Sequence, residues 1–154
     1  MDTCLCYNGT DRLFEVRLGL RVLSTHPNKE KALVAQLAGE APQALELAQS
    51  LFAVHPELME RALKAVILVA DGAVQIGTAP GQYQVRSQQK NGEEVYDIDL
   101  EHSTCSCVDW EHRALMVSGR KLCKHLLACL IVRKLGLAAR KPPIQTEVMH
   151  HDRP

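Results

Sequence analysis

Long apolar runs are missing from this sequence. Stretches such as Ala65–Ala70 are a few residues long, far short of the roughly 20 that a membrane-spanning helix needs. The first residues do not read as a secretory leader either, since Met1 is followed by Asp2, Cys4 and Cys6 and not by a basic region and an apolar core. No glycine-rich phosphate loop occurs. Asp97 and Asp99 form no convincing catalytic pair, because two acids on one solvated strand face need no catalytic explanation. Net charge is absent too, at 18 basic and 18 acidic residues. These absences point away from a membrane protein, a nucleotide hydrolase and an enzyme in general, and towards a cytoplasmic chain.

What is present is enough for a core: 154 residues, 46% hydrophobic, room for one domain or two small ones. The six cysteines, in a chain expected to live in a reducing compartment, read as metal ligands sooner than as disulfides. The zero net charge hides an asymmetry. Residues 1–102 carry 9 basic and 14 acidic side chains, whereas residues 103–141 carry 8 basic and 2 acidic. A basic segment of this kind attracts phosphates, although cations also solvate a helix surface and favour its C-terminus.

The chemistry concentrates between Tyr96 and Leu130, in two short pairs: Cys105-Ser106-Cys107 and Cys123-Lys124-His125. Thiolate and imidazole are the donors that close a tetrahedron around Zn²⁺. Val95, Asp97 and Asp99 alternate with Tyr96, Ile98 and Leu100, as in a half-buried strand. At the end of such a strand Cys105 and Cys107 face one side. The second pair opens an apolar run from Leu126 to Leu135 that stops at Gly136, as a helix does. Positions two apart in a helix diverge by about 200°, so Cys123 is expected before the helix or in its first turn. Four protein ligands leave no open position for substrate, the mark of a structural zinc.

The flanking residues, Tyr83–Ser87 (YQVRS), Tyr96–Leu100 (YDIDL), Thr104–Trp110 (TCSCVDW) and Leu122–Ala128 (LCKHLLA), make the segment from Gln82 to Val132 resemble a SWIM zinc finger. Two departures are a long loop containing Ala114, Leu115, Met116 and Val117, and Val108 where many members have proline. The resemblance implies zinc binding by Cys105, Cys107, Cys123 and His125. It also implies a recognition role, towards DNA or protein, in chromatin, recombination and transposition proteins, without catalysis.

The other reactive side chains read more plainly. His102 and His112 flank the site, with substitution as ligands only the minor alternative for each, and Cys129, one turn after His125, is core first and packs beside the metal. Trp110 covers the zinc loop or stacks on a base, core packing being the commoner role. Cys4-x-Cys6 has no nearby Cys-x-His companion, and His150 and His151 belong to a solvated end.

The expected fold is α+β: an N-terminal helical segment of about three short helices, then a β-hairpin, zinc loop and helix. Its parts are a mostly helical region 1–72, a linker 73–81, the finger 82–140 and a flexible tail 141–154. Met1–Asp11 is read as a loose tail, and Phe14–Val22 as a strand by alternation or a helix from its acidic start. Asn28–Ala38 reads as the first helix, ending before Gly39, with Ala32, Leu33, Leu37 and Ala38 inward. Pro42 opens the second helix, with Leu45, Ala48, Leu51 and Phe52 inward. Pro56 opens the third, which carries a stripe of Met59, Leu63, Val66, Ile67 and Ala70, with Glu57 facing Arg61 and Glu60 facing Lys64. His26 and His55 read as residues at helix starts. Asp71-Gly72 ends the third helix, and Lys90-Asn91-Gly92 turns a hairpin.

The functional expectation is a structural zinc module that binds DNA through the basic side of the finger, in recombination, transposition or related DNA metabolism. Arg113, Arg120, Lys121, Lys124, Arg133 and Lys134 are its candidate phosphate contacts. The alternative is a docking module whose N-terminal helices hold a recombinase, transposase or helicase partner with no nucleic-acid contact.

Overall fold

A computed structural model describes residues 3–8, 13–18, 21–26, 28–87 and 94–137. The fold is α+β. An antiparallel meander of β1 (Thr3–Asn8), β2 (Leu13–Leu18) and β3 (Arg21–His26) comes first. Helices α1 (Lys29–Glu40), α2 (Pro42–Val54) and α3 (Met59–Ala70) follow, with a 3-10 turn over Pro56–Leu58 leading into α3. A second sheet, in the order β4 (Val74–Ile76), β5 (Gln82–Arg86), β6 (Val95–Asp99) and β7 (Thr104–Cys105), is antiparallel throughout. The chain then forms α4 (Val108–His112), the hairpin β8 (Leu115–Val117) and β9 (Arg120–Leu122), and α5 (Lys124–Leu135).

The meander corrects the reading of the N-terminus. Met1–Asp11 was expected to be a loose tail, yet Thr3–Asn8 is a strand, paired from Thr3 opposite Leu18 to Asn8 opposite Leu13. Its hydrogen-bonding partner comes from elsewhere in the chain, so its own six residues carry little signal. The alternation after Phe14 does mark a strand, divided into β2 and β3, with a register shift between Val16 and Arg17. The mostly helical region therefore begins with a sheet.

The helix boundaries follow local chemistry. The Asn28 side chain caps α1 by accepting from the Lys31 amide at 2.9 Å. The helix runs through Gly39 to Glu40, and Ala38 is exposed. Pro42 stands at the start of α2, where a missing N–H costs nothing. In α3 the buried set is Ala62, Leu63, Ala65, Val66 and Leu68, wider than the expected stripe. The reason is that α3 packs on α2 along one side and on α5 along another, and two partners need two apolar faces. Glu60 and Lys64 pair at 2.6 Å as the four-residue spacing implies. Glu57 instead lies 3.7 Å from His55, and Arg61 turns away towards the following half of the chain.

Helix α5 occupies the centre, between α2 and α3 on one side and the second sheet on the other. It buries Leu126, Leu127, Ala128, Cys129, Ile131 and Val132, nearly its whole circumference. Val74, Val85, Ile98 and Cys105 of the sheet join the same core. Gln84 and Asp97 pair on the sheet's opposite, solvated face. Val74–Ile76, inside the stretch expected to be a linker, is thus a strand of this sheet, drawn in because Val74 sits opposite Val85. The helix ends at Gly136 with φ of 61°, a left-handed cap that glycine accepts without strain. The Lys90–Gly92 turn and the tail with His150 and His151 lie outside the described residues.

Candidate metal centre

Cys105 ends up on β7 because that strand pairs with β6, Cys105 opposite Ile98. Ser106 holds the loop in place: its amide donates to Asp97 O, and its hydroxyl accepts from Asp97 N, each at 3.0 Å. The extended backbone then points Cys105 and Cys107 to one side. Cys107 is the N-cap of α4, where its sulfur accepts from the Trp110 amide at 3.2 Å. Cys123 is the N-cap of α5, so His125 lies in the first turn and the two converge as expected.

All four donor atoms, of Cys105, Cys107, Cys123 and His125, lie within 4.8 Å of one another, and all four residues are buried. Cys105 Sγ is 3.8 Å from His125 Nδ1. The edge of a tetrahedron with Zn–S bonds of about 2.3 Å is about 3.8 Å, so donor set and spacing fit Zn²⁺. The crowding also sets the protons. Hydrogen bonds from Cys105 and Cys123 hold Cys107 far below the ordinary thiol range, while the bond to Cys107 and burial push Cys105 far up. Cys123 is lowered by its bond with Cys105 but raised by its bond with Cys107 and by burial, and stands at about 11. A divalent cation held here stabilises all three thiolates together, and its binding releases protons.

Residues 85–134 match the family model of the SWIM zinc finger. This segment is a SWIM zinc finger. No curated protein and no solved structure matches the chain. The ligand positions of the SWIM finger are reinforced by Tyr96, whose ring lies 4.5 Å from that of His125 at 37°, and neighbours of this kind orient a metal-binding imidazole. The Tyr96 hydroxyl donates to Glu94 at 2.9 Å. Burial, with help from that bond, raises the phenol above its ordinary value.

The surrounding residues sort themselves. His102 points outward and bonds Asp99 at 2.8 Å, and His112 lies 3.6 Å from Glu111, so neither enters the cluster. Cys129 is fully buried, and burial pushes its thiol up, as for a core residue. Cys6 lies on β1 outside the cluster, and the side chain of Cys4 is outside the described residues. Trp110 packs against the core, with Lys121 Nζ 4.3 Å from the centre of its ring.

The long loop of the finger is not irregular. It holds α4 and the β8–β9 hairpin, which turns on Ser118 and Gly119, both at positive φ. Sequence reasoning missed the role of Arg61, whose Nη2 donates to the Arg113 carbonyl at 2.6 Å and reaches Asp109 at 3.5 Å. No local pattern marks a contact between residues 52 positions apart.

The six candidate phosphate contacts divide. Arg113, Arg120 and Lys121 lie within the zinc loop and Lys124 at the start of α5. Arg133 and Lys134 are exposed in the last turn of α5, about 14 Å along the axis from Lys124. There they complement the helix dipole. Among the described residues no helix is long and apolar enough to cross a membrane.

Proposed function

We propose that the chain is a structural zinc module that binds DNA through the zinc-loop side of its finger, in recombination, transposition or related DNA metabolism. The observation that carries this reading is the gathering of Arg113, Arg120, Lys121 and Lys124 on the loop and helix start that the metal ties together. Metal binding orders that segment, and with it the spacing of the cations. The closed Cys₃His sphere supports a structural metal and a non-enzymatic role. Arg133 and Lys134 stand apart, in the last turn of α5.

Protein docking is the second reading, favoured by two apolar side chains on the same loop: Val108 is 63% exposed and Met116 64%. A titration of labelled duplex DNA with zinc-loaded protein separates the two. The DNA reading expects the Arg120→Glu, Lys121→Glu double variant to keep its zinc and to bind at least about tenfold more weakly at low salt. Absence of duplex binding by the unaltered chain at low salt overturns it in favour of docking.

A further inference from the structure

The β8–β9 hairpin is a two-stranded ribbon with two unlike faces. Leu115 stands opposite Leu122 and Val117 opposite Arg120, and Val117 and Leu122 are buried. Met116 stands opposite Lys121, and side chains directly opposite each other across an antiparallel pair share a face. That face turns away from the core, and Met116 on it is 64% exposed. Among the described residues the two strands pair only with each other. The turn between them, Ser118-Gly119, has positive φ at both residues, which suits the twist of a tight hairpin.

The charge around Met116 indicates what covers it. From Ala114 to Lys124 there is no acid, and the charged residues are Arg120, Lys121 and Lys124. Lys121 Nζ lies 4.3 Å from the centre of the Trp110 ring and donates to the Glu111 carbonyl at 3.1 Å. The cross-strand neighbour of Met116 is thus a fixed cation and not further hydrocarbon, and an apolar protein face laid over it would have to bury that charge. A polyanion meets no such cost. Size agrees as well. Each strand is three residues long, about 10 Å, and the two lie about 4.8 Å apart. The major groove of B-DNA, about 12 Å wide, admits a two-stranded ribbon, and the apolar group presented there is the thymine methyl.

We propose that the β8–β9 hairpin enters the major groove of the bound duplex with its Met116 face towards the base edges, where Met116 packs on thymine methyl groups. Met116 is then a specificity-determining residue. It adds a preference for thymine that phosphate contacts from the neighbouring cations do not carry. The inference rests on the DNA reading above and deepens it.

The test uses the full zinc-loaded chain and two labelled duplexes of one A·T-rich sequence, the second with uracil in place of thymine. They differ only in the 5-methyl groups. The unaltered chain is expected to bind the thymine duplex about fourfold more tightly, the worth of roughly one buried methyl. Met116→Ala is expected to bind the two alike. Its zinc content and its slope of log affinity against log salt stay unchanged, because no phosphate contact is lost. Met116→Leu, apolar and similar in volume, is expected to keep most of the preference. The hairpin placement is overturned if the unaltered chain does not distinguish the duplexes, or if Met116→Ala distinguishes them equally well. In either case a continued impairment of Arg120→Glu, Lys121→Glu leaves the DNA reading standing. No duplex binding by the unaltered chain at low salt overturns both and assigns Met116 to protein docking.

Discussion

Between Thr104 and His125 six side chains are buried, and four of them are Cys105, Cys107, Cys123 and His125; only Val117 and Leu122 are ordinary apolar residues. Helix α3, about half as long, buries five apolar side chains. The two regions share one core but close it by different means. The α2–α3–α5 layer removes hydrocarbon from water, a term that grows with area. The zinc loop has too little hydrocarbon for that, and its order comes from donors that converge on one cation. A short segment can therefore present exposed, charged residues in a defined arrangement without an apolar interior of its own.

Removing the metal is the strongest way to break this comparison. Chelation, or Cys123→Ser, is expected to release residues 104–123 into fast amide hydrogen exchange while α3 stays protected, since structural zinc supplies on the order of 10 kcal/mol to such units. Loss of protection in α3 at the same rate as in the hairpin would show that the two regions stand or fall together. Next in size is Leu68→Ala, at a fully buried position of α3. It is expected to lower unfolding free energy by about 3 kcal/mol with one zinc per chain retained; loss of zinc at equal stability would place the dependence the other way.

The smallest effect sharpens the boundary between site and surface. Asp99 accepts from His102, which raises the imidazole's pKa and lowers the carboxylate's. The raised histidine contributes a stability that is complete below its unfolded value of about 6.5 and fades as pH rises through the folded value. The lowered Asp99 contributes one that is present above its unfolded value of about 3.9 and fades as pH falls through the folded one. Both groups are open to solvent, so Asp99→Asn is expected to return the His102 titration, followed by NMR, towards about 6.5 with no change in zinc content. A change in zinc content would place His102 in the metal's environment after all.

Legibility from sequence followed the range of the interaction. The pairs Cys105/Cys107 and Cys123/His125 were readable because strand and helix periodicity say where neighbours point. The capped ends of α1, α2 and α5 were readable because Asn28, Pro42 and Gly136 act within a few residues. Thr3–Asn8 and Val74–Ile76 were not, because a strand exists only when another segment offers its backbone, and each of these is short. The order within the zinc loop was hidden for a related reason. Ser118-Gly119 sits between runs of only three residues, too brief for an alternating pattern to stand out.

The sequence by itself determined the four donors, their division between a strand end and a helix start, the central apolar helix and the basic character of the second half. These are local properties, carried by residue type and spacing. Tertiary structure alone decided that α3 lies against the zinc loop and that Arg61 spans the two. Packing geometry, which follows from how separate faces fit together and not from any one stretch of chain, is what set those distances.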